Sequence, residues 1–437
     1  MKKGIVILLL ALVLVVIISP GIVGRLAEQS VDENLDWAAQ ESRDLVVTSQ
    51  KFDRGWFSSE GRHRVELKNG DIKNFVKVLL GTEDAAELPA LIIDTRIDHG
   101  LIPVTSMTRD KGSLAPGLGN AISTLSLEQP DGEIASIPGT IYSSFGLTGD
   151  LTSNYVLEAG SFSEDGETAD WGPVDIVVSA DAAATAFEFS GSLESLQFSD
   201  DAESVSVTNV SLSGDQRPSG YGFYVGDVEY SVDQVTLETG GQQLMTLGPM
   251  SMVAETRIAD AKLAGNVDFS LSTDGGPPFG KVDVILQSNV SGVDAPAFQA
   301  LVEVLDSIDP AGGASADSKA LLQSALKRVL AGGLQLNFDK LNLATDQGTL
   351  ETIVNLRVKE SDTADFEWSA LLLATEADAS IRVPEALMDF VIQMNPQAGA
   401  VVGMGYLKKN GDVYEMQAAL KKGLLTINGA PMVIPLP

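Results

Sequence analysis

The chain has 437 residues, room for two or three domains or one long β-architecture. Apolar residues make up 44% and charged residues 20%, which excludes a wholly disordered chain; 29 Lys+Arg against 60 Asp+Glu give a net charge of −31, which argues against phosphate-backbone binding, so no nucleic-acid partner is expected. Cysteine is absent, which removes disulfides, thiolate metal sites, Fe–S clusters and cysteine nucleophiles, and His63 and His99 are the only histidines.

Lys2 and Lys3 precede an apolar run from Gly4 to Ile18, followed by Ser19-Pro20-Gly21-Ile22-Val23-Gly24. Gly4 to Gly24, at about 1.5 Å per residue, spans roughly 30 Å, enough for a bilayer core. Ser19-Pro20-Gly21 is a poor small-x-small cleavage site, so residues 4–24 are expected to stay as a single-pass anchor rather than to leave as a signal peptide. There is no lipobox cysteine. The two lysines place the start in the cytoplasm and the rest outside the membrane. Without them, 27 basic residues face 60 acidic ones, a charge of −33 that reads as a solvated surface.

Beyond the anchor, Arg25 to Trp37 reads as helical. Arg62-His63-Arg64 lies on an alternating strand, with His63 expected at the surface. Ile72, Phe75, Val76, Leu79 and Leu80 follow helical spacing. Across Tyr221–Leu237 the apolar set changes parity twice, which calls for bulges near Gly226-Asp227 and Asp233-Gln234 or for short strands changing there. Period-two alternation then marks strands at Leu263, Val267, Phe269 and Leu271; at Val282, Val284, Leu286 and Val290; at Leu350, Val354, Leu356 and Val358; and at Phe366, Trp368, Ala370 and Leu372. Hairpin signals stand at Asn69-Gly70, Gly240-Gly241, Asp274-Gly275 and Asn410-Gly411.

Between the strands, Asp294 can cap a helix with Phe298, Leu301, Val302 and Leu305 on one side. Pro310–Ala314 is a loop. Ser315 can cap a second helix with Leu321, Leu322, Ala325, Leu326 and Val329, ended by Gly332-Gly333, after which strands resume. Pro384 opens a third, with Leu387, Phe390, Val391 and Met394. The fold class is therefore α+β and β-dominated: long antiparallel, curved sheets with a few peripheral helices behind one N-terminal transmembrane helix. The regions expected are 1–24 as anchor, 25–125 as an α+β region, 126–290 as antiparallel β and 291–437 as a second α+β region. Many one-sided strands and few helices leave an apolar sheet face that must fold on itself, pair with another subunit or face a hydrophobic ligand.

Three segments carry a resemblance. Phe52-Asp53-Arg54-Gly55-Trp56-Phe57-Ser58-Ser59, Ile97-Asp98-His99-Gly100-Leu101-Ile102-Pro103 and Gly423-Leu424-Leu425-Thr426-Ile427-Asn428-Gly429-Ala430-Pro431 resemble, in order and position, the segments of the YdgA/YihF-type bacterial inner-membrane proteins, a family of unassigned function. Leu101 departs from that pattern, where proline is usual. The resemblance implies an inner-membrane protein with its body in the periplasm and imports no chemistry. Its motif positions are Arg54, Gly55, Trp56, Phe57, His99, Gly100, Pro103, Gly423, Asn428 and Gly429. Each has a structural reading, as a turn or a packed aromatic, and a partner-binding one.

No G-x-S-x-G elbow, P-loop or G-x-G-x-x-G after a strand is present, and no D-x-[DN]-x-[DN]-G calcium loop. Two histidines and no cysteine are too few for a zinc site, and carboxylate pairs carry little information in so acidic a chain. No catalytic residue, metal or cofactor is expected. The expected function is a non-catalytic, membrane-anchored structural or interaction protein of the cell envelope that pairs with itself or with another envelope protein. The alternative is a lipid- or hydrophobic-ligand-binding protein with an apolar β-groove.

Overall fold

The structure, a computed structural model, describes residues 45–54, 58–67, 90–99, 119–128, 132–164, 167–183, 185–200, 202–274, 280–307, 316–361 and 368–432. The expected anchor, the helical spacing at 72–80, Asn69-Gly70, Pro310–Ala314 and the Ser315 cap lie outside these residues. Among the described residues no helix is long and apolar enough to cross a membrane. The chain divides into two compact units, Met1–Arg217 with Asp309–Gly312, and Pro218–Ile308 with Gly313–Pro437.

The first unit is an antiparallel sheet. Its strands are β1 (Leu45–Arg54), β2 (Ser58–Leu67), β3 (Ala90–His99), β4 (Gly119–Glu128), β5 (Ile134–Phe145), β6 (Leu151–Leu157), β7 (Gly160–Glu164), β8 (Glu167–Trp171), β9 (Val174–Ala180), β10 (Phe187–Ser199) and β11 (Glu203–Pro218). Each of β1 to β5 pairs with the next; β6 pairs β9, β9 pairs β10, and β10 pairs β11. The β7–β8 hairpin joins through β8 to β10. Its inward face is closed: Leu125, Leu127, Tyr155 and Leu157 are buried, and hydroxyl pairs fill the gaps between them, Thr95 with Ser123 at 2.8 Å and Ser143 with Ser153 at 2.9 Å.

His63 belongs to that inward face, which corrects the expectation of a surface histidine. It pairs opposite Ile93, shares parity with buried Ser59 and Val65, and is 5% exposed. Its flanking arginines take the other face. Arg62 forks onto Asp94 at 2.6 and 2.8 Å, and Arg64 reaches Glu128 at 2.5 Å and Glu66 at 2.7 Å.

The second unit is also one antiparallel ladder. It runs β12 (Tyr224–Thr239), β13 (Gln242–Ala259), β14 (Lys262–Asp274), β15 (Lys281–Asp294), β16 (Leu334–Thr345), β17 (Gly348–Val358) and β18 (Thr375–Pro384), each pairing the next. It continues through β20 (Val413–Lys421), β21 (Leu424–Ile427) and β22 (Ala430–Met432), with β19 (Lys408–Asn410) also on β20. Gly240-Gly241 forms the expected turn, whereas the second falls one residue later than expected, at Gly411-Asp412, because Asn410 still pairs Val413; Gly240, Gly241 and Gly411 all have positive φ. β15 extends past residue 291 to Asp294.

Helix α1 (Ala295–Ser307) starts where expected, with Asp294 Oδ1 accepting from Ala297 N at 3.0 Å. Helix α2 (Ala316–Ala331) ends on Gly332-Gly333, where Gly333 has φ 76° and its amide donates to Leu330 O. The covered side of α2 is narrower than its apolar spacing: Ala325 and Val329 are buried, whereas Leu321 and Leu326, and Leu305 on α1, are exposed. Of the strand expected at Phe366–Leu372, Phe366 lies outside the described residues and the part from Trp368 on is not a strand. Residues Trp368–Ala374 form helix α3, and Thr375 Oγ1 donates back to Leu371 O at 2.7 Å as the chain leaves it. Ala370-Leu371-Leu372-Leu373-Ala374 is built of the strongest helix formers, and seven residues are too few for period alone to decide. Helix α4 (Glu385–Met394) follows Pro384, and a 3₁₀ turn (Pro396–Ala398) leads to the short helix α5 (Gly399–Gly403).

Candidate functional site: an apolar sheet face

Register shows how the second unit sorts its side chains. Tyr230, Met252, Phe269, Leu286, Leu341 and Thr352 stand opposite one another on six successive strands, β12 to β17. The next row toward the other sheet end is Val228, Ala254, Val267, Ser288, Phe338 and Val354, continued by Ala379 and Ala418. Neither row carries a charge. Alternation puts both rows on one face of the sheet.

Bulges keep the apolar residues there. β15 carries one extra residue where Leu263 and Gly265 oppose Val293 and Val290, so both valines face the same way across Ser291-Gly292, with Gly292 at φ 77°. β16 carries one extra residue at Asp339-Lys340, which keeps Phe338 and Leu341 on one side against Val354 and Thr352. At the site expected from the parity change, Asp233-Gln234 of β12 interrupts its ladder opposite Gly248-Pro249 of β13, and Val232 and Val235 both pair with apolar residues, Met250 and Leu247. At the other expected site Gly226 has φ 155°, and Thr256 Oγ1 takes up its amide at 3.1 Å and its carbonyl at 3.2 Å.

The opposite face is polar. Asn266, Asn289, Asn337, Asn355 and Asp378 line up across β14 to β18. Asn337 Nδ2 donates to Asn289 Oδ1 at 2.8 Å, and Asn355 Nδ2 donates to Asp378 Oδ2 at 2.8 Å. Ser251 and Ser270 bond at 2.8 Å in a neighbouring row. Such a face suits water.

Among the described residues, helices cover the apolar face only at its two ends. At one end α1 and α2 pack on it, and Val329 of α2 joins Val225, Leu263 and Val293 in a buried cluster that draws in Phe223, Ile258, Val290, Phe298, Leu301 and Leu334. Phe298 meets Phe223 edge to face at 5.1 Å. At the other end Leu387 and Met388 of α4 bury against Val383 and Leu407, with Leu350, Ile381, Tyr414 and Met416 beneath. The rows between these clusters stay open: Phe269, Leu286, Phe338 and Val354 are half-buried and Leu341 is 40% exposed. At about 4.8 Å per strand, the open stretch from β12 to β18 is on the order of 30 Å long.

A second concavity, of about 610 Å³, lies in the first unit between β7–β8 and β10–β11. Its Trp171 has structural work already: the ring lies over Gly160, where a Cβ would meet it at 2.7 Å, and Nε1 donates to Glu158 O at 3.0 Å. The remaining lining, including Ser195, Ser206 and Thr208, offers no converging set of groups.

The positions singled out from sequence do not gather on the open face. Arg54 ends β1 and His99 ends β3, in the first unit; Gly55, Trp56, Phe57, Gly100 and Pro103 lie outside the described residues. Gly423, at φ 76°, follows Lys422 in the two-residue turn between β20 and β21. Asn428 and Gly429, at φ 49° and 80°, form the next such turn, between β21 and β22. Asn428 does more than turn. Its Oδ1 accepts from Gln417 N at 2.9 Å, and its Nδ2 donates to Gly405 O at 3.2 Å and Tyr406 O at 3.0 Å, which ties the hairpin to the loop after α5. The open face itself was legible as strands such as Phe269 and Leu356; that it is left uncovered depends on where the helices land, which no local pattern encodes.

A β-dominated chain of antiparallel sheet with few helices is the class this fold defines. The chain belongs to the family described as bacterial proteins of unknown function, DUF945, whose family model matches residues 1–435. It is 24% identical over 387 residues to protein YdgA of Escherichia coli (strain K12), covering 82% of this chain and 74% of that one. No solved structure matches the chain.

Proposed function

We propose that this is a non-catalytic protein of the bacterial cell envelope, anchored in the inner membrane through residues 4–24, whose second unit holds a hydrophobic ligand of the lipid class on its apolar sheet face. One observation carries the reading: an uncharged apolar surface continuous over successive strands, packed by helices at both ends and left half-exposed between them. Monomeric proteins rarely leave such a surface to water, and its rows run about the length of an extended acyl chain. The polar Asn and Ser rows behind it oppose a sheet-on-sheet partner on that other side.

The test is photocrosslinking in cells. A diazirine residue at Leu286 of the full-length chain is expected to capture an adduct of lipid mass, and the same residue at Asp268, on the polar face, to capture none. Capture of a second copy or of another envelope protein at Leu286 would overturn the lipid reading in favour of an interaction surface.

A further inference from the structure

Two thioethers stand on the open apolar face. Met250 and Met252 are alternate residues of β13, so they take the same side of the sheet. Met252 lies between Tyr230 and Phe269 in one of the uncharged rows. Met250 lies between Val232 and Leu271 in the adjacent row, which Val284 and Leu343 continue. Both are half-buried, and neither belongs to the cluster under α1 and α2 or to the one under α4. By contrast Met388 is buried, Met416 packs against the α4 cluster, and Met404, after α5, is 60% exposed. The backbone holds the pair in place: where Gly248-Pro249 interrupts the ladder, β13 runs so close to β12 that a Cβ on Gly248 would collide with Asp233 O. The chain has no cysteine, so thioethers are its only oxidisable sulfurs.

We propose that Met250 and Met252 are sites of reversible sulfoxidation, and that the oxidised face no longer holds a lipid. The inference rests on the ligand reading above. The oxidant is of the peroxide class. The thioether lone pair attacks one peroxide oxygen and the O–O bond breaks. Hydroxide leaves and takes the proton from the sulfur-bound oxygen, so sulfur loses two electrons and the products are sulfoxide and water; a methionine sulfoxide reductase reverses the change. Geometry selects the empty state. An acyl chain on the rows covers both sulfurs, so oxidation strikes the unoccupied face. While the face is open, water bonds the new S=O oxygen. Val232 and Leu271 beside Met250 carry no side-chain donor, so a returning acyl chain strips that water and leaves the oxide unpaired. The fold is spared, because neither methionine packs under a helix.

The test uses isolated membranes carrying the full-length chain with the diazirine at Leu286, which shares its row with Met252. They are treated with hydrogen peroxide and then irradiated. The readout is the lipid-mass adduct after peroxide divided by that before it, taken within each variant. Peptide mass spectrometry is expected to find sulfoxide at Met250 and Met252, and the ratio to fall roughly tenfold, as for one buried polar group left unpaired. Met250→Leu combined with Met252→Leu, apolar and of similar volume but without sulfur, is expected to keep the ratio near unity, whereas Met404→Leu is expected to fall as the parent does. An unchanged ratio in the parent with both sulfoxides formed overturns the inference, as does an equal fall in the double leucine variant. So does oxidation at Met404 that spares both positions on β13. A limited-proteolysis pattern loosened by peroxide assigns the loss to unfolding and overturns it as well. No lipid adduct in untreated membranes is a separate failure, which overturns the ligand reading and this inference with it.

Discussion

Phe269 on β14 and Leu286 on β15 stand directly opposite one another in the ladder, and both remain half-buried. Leu263, six residues earlier on β14 and on the same face, opposes Val293 and is buried under α1 and α2. Two apolar positions on one face of the same strand thus differ in what lies above them.

That difference separates ligand contact from core. Phe269→Asp is expected to abolish retention of a bound lipid while shifting the unfolding midpoint little, because the carboxylate can reach water. Leu387→Ala, at a site 4% exposed beneath α4, is expected to cost about 2–5 kcal/mol through lost burial and the cavity left behind. Lipid extraction with mass spectrometry and a urea titration on the same preparations check both. Cooperative unfolding caused by Phe269→Asp would mark the position as ordinary core.

What was legible in the chain follows period and punctuation. Leu350, Val354, Leu356 and Val358 do share one face, Asp294 does cap a helix, and Asn428-Gly429 does turn, because each of these depends on residues within a few positions. The bulges at Ser291-Gly292 and Asp339-Lys340 were not, since one extra residue shows only against the partner strand's register. His63 misled because its neighbours are arginines; parity with Val65, not neighbouring charge, sets the side it faces. Half of the singled-out motif positions fall outside the described residues, and the open face was not marked by any motif.

Asn428 has two separable roles, and two substitutions divide them. Asn428→Gly keeps the positive φ at no steric cost but removes the bonds to Gln417, Gly405 and Tyr406, and is expected to cost about 1–3 kcal/mol. Asn428→Ala loses the same bonds and adds the strain of a side chain at φ 49°, so it should be the more destabilised of the two. Urea midpoints in which Ala equals or exceeds Gly would show that backbone strain contributes nothing here.

Tyr155 provides an alkaline marker for the first unit. Burial pushes its phenol up to about 12, and its hydroxyl donates to Pro138 O at 2.9 Å. A folded pKa raised above the unfolded value of about 10 contributes stability that is complete below pH 10 and is lost as the pH rises toward 12, because only the unfolded chain readily releases the proton. Ultraviolet titration should therefore find one tyrosine that ionises late and together with unfolding. Tyr155→Phe should flatten the fall in stability over that window, and an unchanged slope would assign it to other groups.

Asp200 sets the acid side in the turn between β10 and β11. Its Oδ1 accepts from Ala202 N at 2.8 Å and from Glu203 N at 2.7 Å, and these backbone donors hold its carboxyl below the ordinary carboxylate value of 3.8. The sign is the reverse of that for Tyr155. A depressed carboxylate contributes stability that is present above its unfolded pKa and disappears as the pH falls through the folded one. The turn is fully exposed, so the effect should be local: amide exchange at Ala202 and Glu203 should accelerate below pH 3.8 while amides deep in β10 hold. Asp200→Asn keeps an acceptor oxygen without the charge and should make exchange at those two amides independent of pH after correction for intrinsic rates. Equal acid acceleration in the parent and in Asp200→Asn would show that the carboxylate does not hold the turn.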